Sequence, residues 1–195
     1  MNLKRYIFWS FTVMAFPALI LVMAGCKSNQ ATTSVQAPKP DTGAKQTEAY
    51  CSGPEYQSDE HFFRAANLGE SADQATARSK ALNNAREEVS GLIRNTLKTT
   101  FDYYVKAFEI NNTPEIRVKY DSLSMDMINR NLSNVKVVCE KQTVTQNFTY
   151  KTYTAVEISG DVVLTQMNES LSGTNSIFTG YDAEKYKKFF VKSMK

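Results

Sequence analysis

The stretch Phe62–Tyr104, FFRAANLGESADQATARSKALNNAREEVSGLIRNTLKTTFDYY, decides the fold, because its pattern changes from that of a strand to that of a long helix. Phe62–Ala66 predicts a short strand that ends by Gly69. Ser71 and Gln74 then have the spacing of a capping box, in which each side chain can bond the other residue's backbone amide. The spacing therefore predicts that a helix begins at this point.

The predicted helix carries one apolar stripe, since apolar residues recur at steps of three and four. The stripe consists of Leu82, Ala85, Val89, Leu92, Ile93, Leu97, Phe101, Tyr104, Val105 and Phe108. Alanines at positions 72, 75, 77, 81 and 85 make the first half of the helix slim. A slim helix is suited to close packing on a sheet.

The residues after this helix predict a second helix and then a hairpin. Thr113 and Pro114 are typical of an N-cap and a first helical position, and the helical spacing continues to about Asn131. Alternation of apolar and polar residues predicts strands over Val135–Glu140 and Val156–Thr165, joined through a turn near 146–151. We expect Gly160 to mark a bulge in the second strand.

A third helix is predicted over Asp182–Met194, where Tyr186, Phe189, Phe190 and Met194 recur at helical spacing. The order strand, helix, helix, strand, strand, helix predicts a two-layer α+β fold. A long Ala-rich helix and a second helix would pack on an antiparallel sheet, with a C-terminal helix after it.

The central stretch resembles bacterial lipoproteins of the LPP-twenty type. The residues that carry the resemblance are Gly69, Ser71, Ala75, Ala77, Arg78, Ala81, Ala85, Arg86 and Leu92. The segments around Cys51 and Cys139 are similar to the version found in Bacteroidetes-type bacteria, and the resemblance covers about residues 51–167. It implies an α+β envelope lipoprotein related in fold to the N-terminal domain of the flagellar T-ring assembly protein. It implies no established activity.

Residues 1–25 predict a lipoprotein signal peptide. A basic start at Lys4 and Arg5 precedes an apolar run that ends in Ala24-Gly25-Cys26, which resembles a lipobox with Cys26 as the lipidated residue. An uncleaved membrane anchor is the alternative, because the apolar run Tyr6–Ala24, with 19 residues, is just long enough to cross a bilayer. Lys27, in place of Asp, favours export to the outer membrane under the best-known sorting rule.

Residues 26–50 predict a disordered tether, because they are rich in Ser, Thr, Gln, Ala, Pro and Lys. Residues 51–195 are then expected to form a single α+β domain. The chain has 195 residues and a formal net charge of +3, and removing Lys4 and Arg5 lowers this charge to +1. The small charge argues against a nucleic-acid binder.

The three cysteines are Cys26, Cys51 and Cys139. If Cys26 carries lipid, two cysteines remain in a compartment that permits disulfides, which favours a structural bridge between Cys51 and Cys139. Two separate thiols, or a redox pair, are the alternatives. We expect no metal and no cofactor, since His61 is the only histidine and no Cys/His cluster exists.

A catalytic site would have to begin with His61, which has Ser58, Asp59 and Glu60 just before it. Neighbours in an extended segment point in different directions, so we interpret this stretch as a surface loop and expect no enzyme. Basic residues on the long helix offer a second candidate, a surface for anionic lipid or glycan. They are Arg78, Lys80, Arg86, Arg94 and Lys98.

The hypothesis from sequence is a lipid-anchored, non-enzymatic envelope protein of the outer membrane or periplasm. It would bind the membrane through Cys26 and pack against another envelope protein, with no nucleic acid involved. A surface-displayed ligand or glycan binder is the first alternative, and a periplasmic hydrolase is the second. The sequence does not decide the oligomeric state.

Overall fold

The computed structural model describes residues 50–110, 113–173, 178 and 180–194. In this part of the chain four helices pack on a three-stranded antiparallel sheet, which confirms the predicted two-layer α+β fold. The elements, in chain order, are β1 (Phe62–Ser71), α1 (Gln74–Ala107), α2 (Pro114–Ser133), β2 (Lys136–Val144), β3 (Tyr150–Ser159), α3 (Gly160–Ser172) and α4 (Ala183–Ser193). A single 3-10 turn, Pro54–Tyr56, precedes β1.

The sheet has the order β1-β3-β2, so β3 is the central strand. In the register Phe63 lies opposite Ile158, and Val137 lies opposite Val156. Side chains alternate between the two faces of a strand, so Phe63 and Val156 face α1 while Arg64 points to the opposite, outer face. β1 and β2 form the two edges.

The first half of α1 packs closely on the sheet because its buried residues are alanines. Ala77, Ala81 and Ala85 are fully buried. A Cβ atom at Gly69 in β1 would lie 2.2 Å from the Ala77 carbonyl oxygen and 2.3 Å from the Ala81 nitrogen. Only glycine therefore permits the observed approach of the two backbones. β1 continues past Gly69 to Ser71, where the sequence predicted an end, because Glu70 and Ser71 pair with Lys151 and Tyr150 of β3.

The second half of α1 packs through aromatic side chains against α2, α4 and the segment before α4. The cluster consists of Phe101, Tyr104, Phe108, Tyr120, Phe178, Tyr181 and Tyr186. Its ring centroids lie as little as 4.5 Å apart, between Phe101 and Tyr120. Buried aromatic rings contribute a large apolar area, so this cluster holds the helices together.

The predicted capping box at the start of α1 is wrong. The N-cap is Asp73, whose carboxylate accepts a hydrogen bond of 2.8 Å from the Thr76 backbone nitrogen. Ser71 still belongs to β1, because strand pairing with Tyr150 holds its backbone. The predicted cap of α2 is confirmed, since the Thr113 hydroxyl accepts from the Ile116 backbone nitrogen and Pro114 is the first helical residue.

The prediction of a strand as far as Thr165 is also wrong, since β3 ends at Ser159 and α3 begins at Gly160. The buried residues after that point are Val163, Leu164, Met167 and Leu171, which follow helical spacing. The sequence predicted a longer strand because Val156, Ile158, Val162 and Leu164 occupy alternate positions. The predicted bulge at Gly160 is replaced by one on β2, between Val137 and Cys139.

The described residues contain a hydrophobic core of their own, which extends from Phe63 to Phe190 and lies between the sheet and the helices. They belong to one compact unit. A unit with its own core folds independently, so a form lacking residues 1–36 suffices for solution experiments. The predicted signal peptide, Cys26 and the predicted tether up to residue 49 lie outside the described residues.

Candidate functional site

The described chain starts on the outer face of the sheet, where a cysteine pair holds it. The sulfur atoms of Cys51 and Cys139 lie 2.11 Å apart, which is disulfide distance, across a sequence separation of 88 residues. The Tyr50 ring packs edge-on against Tyr153 of the central strand, with 5.3 Å between centroids. The bridge predicted from the cysteine count is therefore present in the geometry, and it ties Cys51 to β2.

The segment between Cys51 and β1 also binds the outer edge of β1. The Ser58 hydroxyl accepts from the Arg64 backbone nitrogen at 2.9 Å and donates to the Arg64 carbonyl at 3.0 Å. One Asp59 carboxylate oxygen accepts from the backbone nitrogens of His61 and Phe62, both at 2.8 Å. These bonds occupy backbone groups that an edge strand would otherwise expose to other chains.

An ion cluster on the outer face joins this segment to the central strand. The Arg64 guanidinium contacts Asp59 at 2.6 Å and Glu157 at 2.7 Å, and Lys136 contacts Glu157 at 3.2 Å. The backbone donors of His61 and the Arg64 side chain lower the pKa of Asp59 from 3.8 to about 2. Burial alone would raise the pKa of Glu157, but hydrogen bonds from Arg64 and Lys136 outweigh it and hold that pKa below its usual range.

The structure does not assemble a catalytic set around His61. The His61 side chain is 69% exposed, and its Nε2 atom lies 3.6 Å from a Glu60 carboxylate oxygen. The Ser58 hydroxyl, the possible nucleophile, is instead bound to the backbone of Arg64. Asp59 uses its carboxylate on backbone amides and Arg64. The side chains of Ser58 and Asp59 thus hold the segment, whereas that of His61 projects into solvent.

Of the five basic residues of α1 that the sequence presented as one face, four form two groups, while the fifth, Arg86, has a buried Nε atom with no hydrogen-bond partner among the described residues. Arg78 pairs with Glu140 of β2 at 2.9 Å, and Lys80 donates to the Glu70 carbonyl at 3.2 Å. Arg94 and Lys98, one turn apart, form no ion pair with another described residue. The first pair fastens α1 to the sheet, whereas the second pair presents unneutralised charge.

Arg94 and Lys98 border a groove of about 550 Å³ between α1 and α2. Arg117 of α2 stands on the other side, held by Asp102 at 3.0 Å and placed 4.9 Å from the centre of the Phe101 ring. The role of Arg117 does not follow from sequence spacing, because its partners Asp102 and Phe101 are 15 and 16 residues away. The only earlier signal was its position one turn before Asp121 on a helix of mixed charge.

Two lysines of α4 lie against aromatic rings. The Lys185 ammonium lies 4.4 Å from the centre of the Phe108 ring, and the Lys192 ammonium lies 4.4 Å from that of Tyr103. Such cation–π contacts fix α4 on the end of α1.

A second groove, of about 460 Å³, lies between β3, the edge of β2 and the α2–α3 pair. Four of its polar side chains are bonded in pairs. Asn131 donates to Gln166 at 2.8 Å, and Lys136 is paired with Glu157. This groove therefore offers few unsatisfied groups to a ligand.

An exposed aromatic residue marks the tip of the hairpin between β2 and β3. Phe148 is 80% exposed and has φ of 55°. Its backbone nitrogen donates to the Thr145 carbonyl at 3.0 Å, and the Thr145 nitrogen donates to the Thr149 carbonyl at 2.9 Å. The left-handed conformation is unfavourable for a bulky residue, so the turn displays this ring at a cost in backbone energy.

Among the described residues there is no group of three or more His, Cys, Asp or Glu side chains placed to hold a metal ion. In the same part of the chain no helix has the length and apolar composition needed to cross a bilayer. Comparison with protein-family models, curated proteins and solved structures finds no match to this chain. The resemblance to LPP-twenty type lipoproteins thus stays a prediction.

Proposed function

We propose that the protein is a lipid-anchored, non-enzymatic component of a bacterial cell envelope, with its α+β domain acting as an interaction module. The anchor would be the lipid on Cys26, and the outer membrane would be its site. The lipobox-like Ala24-Gly25-Cys26 supports the anchor. The cysteine pair of Cys51 and Cys139 supports an oxidising compartment such as the envelope.

The observation that carries the interaction role is Phe148. A ring that is 80% exposed, on a residue with positive φ, contributes nothing to the core and destabilises its turn. Hairpin tips normally use Gly or Asn at such positions. An aromatic side chain is also the type most enriched at protein interfaces. A partner that buries this ring would account for both the exposure and the strain.

The proposal that the protein is not an enzyme rests on the contacts of the candidate catalytic side chains. Ser58 and Asp59 are bound to the backbone and to Arg64, and His61 projects into solvent. The LPP-twenty resemblance points the same way. Its motif residues Gly69, Ala77 and Ala81 meet at the contact of β1 with α1, which is a packing site and holds no reactive group.

The anchor is tested by labelling cells with radioactive palmitate. We expect wild-type protein to take up label and Cys26→Ser protein to take up none. Protease shaving of intact cells then assigns the leaflet. Persistent label in Cys26→Ser protein would overturn the lipid anchor.

The interaction role is tested by photocrosslinking in cells. A photoreactive amino acid at position 148 should give a discrete crosslinked product, whereas the same group at Val118, an exposed apolar residue of α2, should give none. Phe148→Gly relieves the positive φ, so it should stabilise the fold by about 1 kcal/mol while it abolishes retention of the captured partner. Equal crosslinking at both positions, or undiminished retention by Phe148→Gly, would contradict the proposal.

A further inference from the structure

The groove between α1 and α2 combines charge on its rim with apolar surface on its floor. Arg94 and Lys98 stand on one side and Arg117 on the other. The floor is formed by the buried side chains of Leu97 and Tyr120, and Met125, which is 37% exposed, extends it toward solvent. A volume of about 550 Å³ lies in the range of small-molecule sites, which are mostly apolar with a few placed polar groups.

The cations are available to a ligand to different degrees. Arg94 and Lys98 have no ionic partner in the described part of the chain. Arg117 is already paired with Asp102, and the Phe101 ring lies beneath it, so its guanidinium is held in position before any ligand arrives. Fixed geometry of this kind lowers the ordering cost of binding.

The groove also contains one acid. Asp121 of α2 lines it and has no ionic partner among the described residues. Against three cations, Asp121 and the Asp102 that pairs with Arg117 leave a net charge of +1 at the groove. The surplus lies on the α1 side, at Arg94 and Lys98, which selects an anion and places it there.

We infer that this groove binds an amphipathic anion, in which one phosphate or carboxylate group is joined to an apolar chain. The anionic group lies between Arg94, Lys98 and Arg117, where guanidinium and ammonium groups donate charge-assisted hydrogen bonds. The apolar part lies over Leu97, Tyr120 and Met125. A membrane lipid and a free amphiphile share this chemistry.

The test uses residues 37–195 and calorimetric titration with three probes. Octyl phosphate below its micelle concentration should bind saturably, with one molecule per chain. Inorganic phosphate lacks the apolar part and octyl glucoside lacks the charge, so each should bind at least about tenfold more weakly. No saturable binding of octyl phosphate, or equal binding of the uncharged glucoside, would overturn the inference.

Variants then place the ligand in this groove. Arg94→Gln with Lys98→Gln should weaken octyl phosphate binding by about a hundredfold, since each of the two lost charged hydrogen bonds costs roughly tenfold. Asp121→Asn should strengthen it by about threefold, because it removes a like charge. Both changes lie on exposed residues, and an unchanged thermal midpoint confirms folding.

The matched control is Arg78→Gln with Lys80→Gln, which removes the same charge from the same helix outside the groove. It should leave the affinity within about twofold. An equal loss in the control would show nonspecific attraction and would overturn the site.

Vesicles with and without phosphatidylglycerol separate the two ligand sources. Competition between the anionic vesicles and octyl phosphate assigns a membrane lipid, and its absence assigns a free amphiphile.

Discussion

The two ends of α1 are built from different residues and are stabilised in different ways. At the sheet end, alanines and Gly69 bring the helix backbone against β1, and Arg64 organises an ion cluster on the far side of the sheet. At the aromatic end, large rings fill the space between α1, α2 and α4. Close contact of small residues leaves no room for a groove, whereas helices separated by large side chains leave one beside Arg94.

The basic residues of α1 follow the same division. Arg78 and Lys80 at the sheet end are bound to Glu140 and to the Glu70 carbonyl. Arg94 and Lys98, toward the aromatic end, are unpaired among the described residues. We therefore assign attachment to the sheet end and ligand binding to the aromatic end. The following changes test the two ends separately, from the largest expected effect to the smallest.

Removal of the cysteine pair should cause the largest loss. Cys51→Ala with Cys139→Ala opens a loop of 88 residues, for which the chain-entropy relation gives about 4–5 kcal/mol of unfolding free energy. Urea denaturation of residues 37–195 measures it. Treatment of the unmutated protein with dithiothreitol should give a similar loss. A loss below about 1 kcal/mol would mean that the bridge does not stabilise the sheet end.

Phe101→Ala should destabilise the aromatic end by about 3–4 kcal/mol, because it leaves a cavity beside Tyr120 and Phe178. The control is Tyr103→Ala, which removes a partly exposed ring from the same helix together with its contacts to Phe189 and Lys192, and it should cost clearly less, about 1–2 kcal/mol. Urea denaturation measures both. Equal losses would contradict the assignment of Phe101 to a packed cluster.

Gly69→Ala should lower the unfolding free energy by about 2–3 kcal/mol, since its Cβ atom would overlap the backbone of α1 at Ala77 and Ala81. Gly91→Ala should have the opposite effect and raise the unfolding free energy. A Cβ atom at Gly91 meets nothing within 4 Å, so alanine should stabilise this helix position by about 0.5–1 kcal/mol. Thermal unfolding of both variants checks the pair. A harmless Gly69→Ala would show that the backbones do not approach as described.

The two ends should respond to opposite extremes of pH. The lowered pKa of Asp59, about 2 against 3.8, contributes stability above pH 4 that is lost as the pH falls toward 2. Because the carboxylate is partly exposed, solvent screening limits this contribution to about 1 kcal/mol. Asp59→Asn should flatten the acid limb, which is the decrease in unfolding free energy as the pH falls from about 4 to 2.

The alkaline limb, which is the decrease in unfolding free energy above pH 10, arises from the buried tyrosine hydroxyls. Burial raises the pKa of Tyr120 and Tyr186, whose hydroxyl oxygens lie 2.6 Å apart. Tyr120 donates its proton to the Leu97 carbonyl, so Tyr186 donates to Tyr120. A raised pKa contributes stability below pH 10 that is lost above it. Tyr186→Phe should weaken this loss and leave the acid limb unchanged, as followed by denaturation between pH 2 and pH 11.

Much of the fold was predictable because its patterns are local. The helical stripe of α1, the Thr113–Pro114 start of α2 and the C-terminal helix each depend on residues a few positions apart. The boundary at Ser159 was not, because Val162 and Leu164 continue the strand alternation while Val163, Leu164 and Met167 decide for a helix through burial. Tertiary contact chose between two local patterns.

The candidate site was only partly predictable, for the same reason. Cysteine counting identified Cys51 and Cys139 without geometry. The groove depends on Arg117, which joins Arg94 and Lys98 only when α2 packs on α1. The separation of bound from unpaired cations likewise depends on Glu140, which comes from β2. From sequence spacing alone, the basic residues of α1 look like one continuous face.

The most direct test of the division between the two ends is a nuclear magnetic resonance titration of nitrogen-15-labelled residues 37–195 with octyl phosphate. We expect saturable amide shift changes at Arg94, Lys98 and Arg117, and none at Arg78 and Lys80. Changes of equal size along the whole of α1, or changes confined to the sheet end, would contradict the assignment of binding to the aromatic end.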